Sequence, residues 1–508
     1  MIKTRKKQLL IISMEYTQAE INEPINIDIL LSCLPKEFFD ISNTTVLYRD
    51  LFEINTPEMD QYDIVLISTK ISSFSQLCHL LDLCEGKIVI VGGILAICAA
   101  PTLATIYPNV VFNTGECETN VNRLLSLAYG SLTVNAFKQS LVEADIPNVC
   151  FSYEQTNNIY DAERVVCNLK LQQYSKHNSL KDIVANDGLV RMETSRGCPW
   201  NNCSFCVMPW KFCGKMWRPF SISKIENEIE YLVKNGATQI LFTDEDFIGN
   251  FRHISELCDI IEKITLSSPN KISFGGSTSV KTLLNLGNKL DYCLKRMHDA
   301  GIGFIFIGIE SGCDGQLKRY NKGVTASMNE EIIKKLYQYN FKIDVGFIMF
   351  DADTTMLELE ENLNFIHRTG LRCTVSRFAK RLRATPNTKI FEEYKSRGLI
   401  TSELDIDNLF YRYTFCDPTI ELICSFVEKL DSQVLKESYQ LQAIIRSSAT
   451  QGEKDIAQRR LLTLRECGYV FLHECVRQYK KCGTLNYMWV FKLFHRCLCS
   501  GGDNCEES

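Results

Sequence analysis

Three cysteines lie close together in the segment Gly197-Cys198-Pro199-Trp200-Asn201-Asn202-Cys203-Ser204-Phe205-Cys206, directly after an apolar, strand-like run at 189–192. Three thiolates in one loop are typical ligands of a metal centre. A closed zinc site needs a fourth ligand, for which Cys213 is a candidate, but no second CxxC pair or ligating His follows soon after it. Three thiolates suit a four-iron, four-sulfur cluster with one iron left open. Structural or zinc-bound cysteines remain the alternative.

The cysteine loop resembles that of the radical S-adenosylmethionine (radical SAM) enzymes, whose open iron binds the amino and carboxylate groups of the methionine part of the cofactor. Their usual spacing places three residues and then two between the cysteines. Here four residues separate Cys198 from Cys203, and two separate Cys203 from Cys206. The extra residue lengthens the loop without removing a ligand, which indicates a less common branch of the family. The resemblance covers roughly residues 5–400.

Strand-like runs that alternate with helical patterns surround and follow the cysteine loop. They are Leu189 to Thr194, Gln239 to Thr243, Lys271 to Phe274, Phe304 to Ile309, Lys342 to Met349 and Cys373 to Phe378. Six parallel β-α units predict a partial barrel. In such barrels the chemistry lies at the carboxyl ends of the strands.

Polar side chains follow two of these runs. Asp244 and Glu245 come after the second run, and Glu310 and Ser311 after the fourth. The resemblance implies that Asp244 and Glu245 bind the amino group of S-adenosylmethionine, and that Glu310 and Ser311 form the polar position after the fourth strand. The alternative for residues 244–246 is that they cap the following helix, where acids are favoured.

Two later segments are also of interest at the mouth of the barrel. The run after residue 345 resembles the family segment that lies against adenine, although Phe350 stands where many relatives have a second glycine. Arg377, Lys380, Arg381 and Arg383 close the sixth run. They form either a solvated basic surface or a site for a carboxylate, phosphate or acidic peptide.

The first 130 residues contain short β-branched runs separated by helical patterns. This pattern predicts a doubly wound parallel sheet. The runs are Leu9 to Ser13, Thr45 to Tyr48, Asp63 to Ser68, Lys87 to Val91 and Val110 to Phe112. Gly92 and Gly93 end one run, and Gly115 follows another. Glycines at such strand ends allow a ligand to approach closely, but they also occur wherever strands turn into helices.

This region resembles the cobalamin-binding Rossmann-type domain that precedes many radical SAM cores. The resemblance implies that Gly92, Gly93 and Gly115 contact cobalamin. The Asp-x-His-x-x-Gly motif of that domain is absent, and the one His of this region, His79, falls in a predicted helix. The domain is therefore either a cobalamin site without a protein imidazole or a fold that carries no corrinoid.

These patterns divide the chain into four parts. Residues 1–130 form the Rossmann-like domain, 131–185 a linker, 186–400 the barrel and 401–508 a helical domain that closes the cavity. The overall fold class is α/β. The last domain contains Cys467, Cys475, Cys482, Cys497, Cys499 and Cys505. They match no ligand pattern and are either an auxiliary cluster, a redox pair or buried helix residues.

Composition narrows the function classes. The 508 residues include 56 Lys+Arg and 61 Asp+Glu, which gives a net charge of −5. The chain therefore lacks the overall positive charge that is typical of nucleic-acid-binding proteins. No apolar run reaches about 18 residues, and the apolar run after Lys7 is short for a signal peptide. The 23 cysteines in a long chain without such a signal indicate a reduced, cytoplasmic protein rather than a disulfide framework.

The resemblance implies an enzyme that uses a 4Fe-4S cluster to cleave S-adenosylmethionine and functionalise an unactivated carbon. With cobalamin bound, the expected reaction is methyl transfer in natural-product or peptide biosynthesis. Without it, a radical rearrangement, cyclisation or epimerisation is expected, with Cys313 or Cys373 returning a hydrogen atom. A non-catalytic, metal-containing scaffold is the remote alternative. The expected partners are a small-molecule or peptide substrate and a one-electron reductant such as flavodoxin or ferredoxin, with neither nucleic acid nor membrane.

Overall fold

The computed structural model describes residues 5–14, 24–40, 42–47, 56–153, 156–160, 165–166, 168–172, 177–186, 188–373, 381–446 and 450–500. No helix within these ranges is long and apolar enough to cross a membrane.

The N-terminal unit is a seven-stranded sheet in the order β2-β1-β3-β4-β5-β6-β7. Its strands are β1 (Leu9–Ser13), β2 (Thr44–Leu47), β3 (Ile64–Thr69), β4 (Ile88–Gly93), β5 (Val110–Asn113), β6 (Val149–Tyr153) and β7 (Thr156–Tyr160), and its helices are α1 (Ile25–Ser32), α2 (Thr56–Met59), α3 (Phe74–Asp82), α4 (Ile94–Ile106), α5 (Val121–Gly130) and α6 (Val134–Ala144). Strands β1 to β5 pair in parallel. Strand β3 is buried along its whole length, as expected for a strand covered on both faces.

The range 131–185, which the sequence predicts as a linker, contains ordered elements of this sheet. Helix α6 and the antiparallel strands β6 and β7 lie within it, and β6 pairs with β5. Strand β7 reads Thr-Asn-Asn-Ile-Tyr, too polar to stand out as a strand. Its pairing with β6, rather than its own hydrophobic pattern, gives it strand structure.

The second unit contains a five-stranded parallel sheet in the order β14-β13-β12-β11-β8. Its elements are α7 (Leu180–Ala185), β8 (Val190–Met192), β9 (Ser195–Arg196), α8 (Met208–Lys211), β10 (Arg218–Pro219), α9 (Ile222–Lys234), β11 (Gln239–Phe242), α10 (Phe251–Leu266), β12 (Ser273–Ser279), α11 (Val280–Asn285), α12 (Leu290–Ala300), β13 (Ile302–Glu310), α13 (Asp314–Arg319), α14 (Ala326–Gln338), β14 (Lys342–Phe347), α15 (Met356–Arg368) and α16 (Lys389–Ser396). Most of the sixth predicted run, together with Arg377 and Lys380, lies outside the described residues. Just after that gap, Arg381 forms a parallel bridge with Phe350.

Three long helices end the chain: α17 (Pro418–Arg446), α18 (Gln451–Cys482) and α19 (Tyr487–Ser500). Their buried residues Phe426, Phe471 and Leu493 belong to the same hydrophobic core as the barrel residues Ile307 and Leu336. The helices therefore pack on the barrel through a continuous apolar core, which fixes their position relative to the barrel sheet.

Candidate functional site

The cysteine loop begins directly after β9 and is fixed at several points. Gly197 has φ +90°, and a Cβ there would approach Met216 O to 2.7 Å, so this position requires glycine. Farther along, the Trp200 indole donates to Asn321 O at 2.8 Å, and Ser204 N donates to Tyr320 O at 2.9 Å. The loop is thus fixed on the turn that follows α13.

The three thiols of the loop are neighbours in space. Burial raises the pKa of Cys203 to about 12 and that of Cys206 to about 11, and the charges of neighbouring thiols add to both shifts. Lys322 acts in the opposite direction on both pKa values. Within the described ranges, no three His, Cys, Asp or Glu side chains converge as ligands of a single ion. Three thiolates in one loop suit a cluster, which binds each thiolate at a separate iron.

Glu310 lies beside this loop at the end of β13. It has φ +65°, and the register of β13 against β14 shifts between Gly308 and Glu310. The Lys322 ammonium lies 3.3 Å from Glu310 Oε1, and both side chains are largely buried. A Cβ on Gly308 would lie 2.7 Å from that same oxygen, so Gly308 makes room for the carboxylate. A non-glycine residue with positive φ at such a point is typical of a functional position.

Ser311, which the sequence groups with Glu310, makes internal contacts. It is fully buried, and its hydroxyl lies 2.7 Å from Gln316 Oε1 and 2.8 Å from Asn362 Oδ1. This hydroxyl joins α13 to α15.

The three acids after β11 have different surroundings. Asp244 is buried and accepts hydrogen bonds from Thr194 N at 3.0 Å and from Ser195 Oγ at 2.5 Å, and burial raises its pKa to about 7. Asp246 is buried as well and accepts from Thr282 Oγ1 at 2.6 Å. Asp244 therefore fixes the start of β9, and Asp246 fixes the first turn of α11.

Glu245 differs from these two acids because it accepts a hydrogen bond from Gly197 N, in the cysteine loop, at 2.8 Å. The helix-capping alternative is not what the structure shows, since the N-cap of α10 is Asn250, whose side chain accepts from His253 N.

A crevice lies between the strand ends of the N-terminal sheet and barrel residues on either side of the cysteine loop. Its N-terminal wall includes Gly92, Gly93, Gly115, Glu116, Cys117 and Glu118, and its barrel wall includes Glu193, Arg196, Lys211, Phe212 and Glu245. The three glycines that the sequence singles out thus meet at one site. Gly92 faces open space, whereas a Cβ on Gly93, which has φ +88°, would lie 2.3 Å from Thr69 O. The backbone conformation and the packing against Thr69 therefore require glycine at position 93, independently of any ligand in the crevice.

A network of buried ion pairs connects the two walls. Arg196 lies 2.8 Å from a carboxylate oxygen of Glu118 and 2.9 Å from one of Glu193, and Arg218 lies 2.9 Å from Glu116. Sequence reasoning missed both arginines. The available signal was the position of Arg196 two residues before the first cluster cysteine.

A larger cavity of about 780 Å³ opens on the other side of the cysteine loop. It is lined by Phe205, Ile348, Arg381, Leu382, Arg383, Thr385, Asp405, Asn408, Phe410, Arg412, Glu428, Asp431 and Ser432. Arg381 pairs with Glu428 at 3.1 Å. The cavity thus joins the cysteine loop to the end of the barrel and to α17, and charged side chains of both signs line it.

Comparison with known proteins identifies the barrel. Residues 192–366 match the family model of the Radical SAM superfamily. The chain contains a radical SAM domain. This confirms the resemblance of the cysteine loop, and a domain of this superfamily implies a 4Fe-4S cluster and S-adenosylmethionine.

Among curated relatives, 4'-phospho-dehydrooxetanocin synthase of Priestia megaterium is 32% identical over 197 residues, which are 36% of this chain and 26% of that protein. Bacteriochlorophyllide d C-8(2)-methyltransferase of Chlorobaculum tepidum is 26% identical over 357 residues, 67% of this chain and 70% of that protein. The radical SAM domain is thus shared with enzymes of different reactions. The chain matches only about a quarter of the length of the first relative.

Two solved structures share the fold. The cobalamin-dependent S-adenosylmethionine radical enzyme OxsB, with aqua-cobalamin and S-adenosylmethionine bound, superimposes with a TM-score of 0.77 at 20% identity, covering 97% of this chain and 75% of OxsB. The methyltransferase TsrM of Kitasatospora setae gives a TM-score of 0.60 at 16% identity, covering 78% of this chain and 80% of TsrM. The predicted fold class is therefore confirmed, with a Rossmann-like unit before a radical SAM barrel.

Glu310 and Ser311 give a paired prediction about the radical SAM domain. We expect Glu310→Gln to weaken S-adenosylmethionine binding by about 1–3 kcal/mol, because the variant loses a charged acceptor and leaves the buried Lys322 unpaired. Ser311→Ala is the control, and it should lower the free energy of unfolding while leaving this affinity unchanged. Equilibrium dialysis on cluster-loaded protein and thermal unfolding measure the two effects. Equal affinities in Glu310→Gln and the wild type would make Glu310 a structural residue.

Proposed function

We propose that the protein is a cobalamin-dependent radical SAM enzyme that transfers a methyl group to an unactivated carbon of a small-molecule or peptide substrate. The observation that carries this proposal is the crevice, which lies between the strand ends of the N-terminal sheet and barrel residues that flank the cysteine loop. Ligands of doubly wound sheets bind at such strand ends. A corrinoid in this crevice would contact Arg196, two residues before the first cysteine of the loop.

The bound cluster and corrinoid would supply the one-electron cleavage of S-adenosylmethionine and the methyl group. The residues of the chain bind and orient these groups. Cys198, Cys203 and Cys206 hold the cluster, and Glu310, fixed by Lys322, offers acceptor oxygens beside it. The 780 Å³ cavity that Phe205 lines receives the substrate, and its charged side chains offer partners for polar groups of that substrate.

A second candidate is a radical rearrangement or cyclisation, because 4'-phospho-dehydrooxetanocin synthase is named as a synthase rather than a methyltransferase. Sequence reasoning assigned the return of a hydrogen atom in that reaction to Cys313 or Cys373. In the structure Cys313 is buried with its sulfur 3.9 Å from Glu358, and Cys373 contacts Glu466. Neither belongs to the lining of the large cavity. The structure therefore supports methyl transfer better than a rearrangement that uses these thiols.

Corrinoid binding and methyl transfer can be tested before the substrate is known. Protein purified from cells supplied with hydroxocobalamin should carry about one corrinoid per chain, visible by its absorption. With a strong reductant and methyl-labelled S-adenosylmethionine, it should form S-adenosylhomocysteine and retain label in the corrinoid fraction. Formation of 5′-deoxyadenosine without corrinoid uptake would contradict methyl transfer and favour the rearrangement.

A further inference from the structure

We propose that Arg196 couples the crevice to the cysteine loop, so that a loaded cluster tightens corrinoid binding and a bound corrinoid stabilises the cluster. This inference rests on the proposed function, because it requires that the crevice bind a corrinoid. It adds a positioning role for a residue in the crevice wall that directly precedes the cysteine loop.

Arg196 reaches carboxylates from both walls of the crevice. Its guanidinium lies 2.8 Å from Glu118 and 3.4 Å from Glu116, in the turn after β5, and 2.9 Å from Glu193, which precedes it on the barrel side. The Arg196 side chain is only 9% exposed. Because Glu116 and Glu118 line the crevice, a displacement of Arg196 changes the crevice wall.

The backbone joins Arg196 to the first cluster ligand through one constrained residue. Gly197 separates Arg196 from Cys198, and its N–H donates to Glu245 Oε2 at 2.8 Å. The close approach of Met216 O to Gly197 leaves the chain little room to move independently. When the cluster leaves and the loop relaxes, the shift of Cys198 is therefore transmitted to Arg196.

Because its carboxylate partners are buried, a displacement of Arg196 costs free energy. The side chains of Glu116 and Glu118 are 10% and 8% exposed, and a buried carboxylate that loses its cation is strongly disfavoured. The crevice wall must therefore rearrange when Arg196 moves. By linkage, the effect of the cluster on corrinoid affinity equals the effect of the corrinoid on cluster affinity.

Arg218 provides a matched comparison. It is the direct cross-strand partner of Arg196, its side chain is 8% exposed, and it lies 2.9 Å from Glu116. However, it lies on β10, well beyond Cys206 in the chain, whereas Gly197 alone separates Arg196 from Cys198. A displacement of a cluster cysteine therefore reaches Arg218 less directly than it reaches Arg196. Arg218 supports the same wall without so direct a link to a cluster ligand.

The test titrates hydroxocobalamin, followed by absorbance, into cluster-loaded protein and into protein stripped of iron by a chelator. In the wild type we expect removal of the cluster to weaken corrinoid binding roughly tenfold, a typical coupling between two sites. Arg196→Lys keeps the positive charge but loses the forked guanidinium. In this variant the cluster-loaded and the iron-free protein should bind hydroxocobalamin with equal affinity. Glu118→Gln removes the same contact from the opposite wall and should give the same result. Arg218→Lys should weaken both forms alike and keep the tenfold difference.

The reciprocal measurement is the rate at which a chelator removes iron. Bound hydroxocobalamin should slow this loss in the wild type and in Arg218→Lys, but not in Arg196→Lys. The role of Arg196 would be overturned if the cluster-loaded and the iron-free wild type bound hydroxocobalamin with equal affinity. It would also be overturned if Arg218→Lys lost the tenfold difference as Arg196→Lys does. Corrinoid binding itself would stand in both cases. A wild type that takes up no hydroxocobalamin in either form would overturn the proposed function and this inference together. Two variants on opposite walls keep the test valid if one of them fails to fold.

Discussion

Alanine at Cys198, Cys203 or Cys206 is expected to remove the iron of anaerobically reconstituted protein, which should otherwise hold about four irons per chain. Three thiolates are the minimum set that binds such a cluster with one iron open, so each single replacement should abolish both the thiolate-to-iron absorption and the formation of 5′-deoxyadenosine. Iron analysis, absorption spectra and product chromatography measure these three effects.

Cys213→Ser is the control for the cluster experiment. Cys213 follows the loop closely but is exposed, and sequence reasoning considered it as a fourth zinc ligand. The variant should keep the iron content and cofactor cleavage of the wild type. Stoichiometric zinc in the wild type, lost in Cys213→Ser, would show that the loop holds a structural zinc site and that the cluster assignment is wrong.

Gly92→Leu is expected to abolish corrinoid uptake while the iron content stays unchanged. A Cβ on Gly92 meets no heavy atom within 4 Å, so a larger side chain enters the open crevice without disturbing the sheet. Gly93 is unsuitable for this test, because a side chain there collides with the backbone of Thr69 and would damage the fold itself. Corrinoid absorption and iron content of the same preparation give the two readings.

Gly130→Leu matches this substitution at the end of α5, in the same unit but outside the crevice. It also faces open space, so it should leave corrinoid uptake intact. If wild type and Gly92→Leu carry equal amounts of corrinoid, the ligand lies elsewhere and the crevice assignment fails. Loss of uptake in both variants would instead indicate that this sheet does not tolerate added side chains.

Most of the fold could be predicted because parallel strands are buried on both faces and therefore appear as short apolar runs. The five predicted runs of the first 130 residues and five of the six barrel runs correspond to strands. Strand β7 was missed because pairing with β6 overrides its polar sequence. Within the site, Glu310 was found because a carboxylate directly after an apolar strand, between two glycines, is unusual.

The sequence by itself predicted the ligand set of the cluster and determined the radical SAM fold, since both depend on short-range spacing and hydrophobic pattern. Only the tertiary structure decided which polar residues face a cavity. Asp244 and Ser311 follow strands just as Glu245 does, but only Glu245 lines the crevice, whereas the side chains of Asp244 and Ser311 are buried against neighbouring elements. The contact of Arg196 with Glu118 joins residues far apart in the chain, and no local pattern encodes it. The physical reason is that the direction of a side chain at a strand end depends on how separate elements pack, whereas ligand spacing lies within one loop.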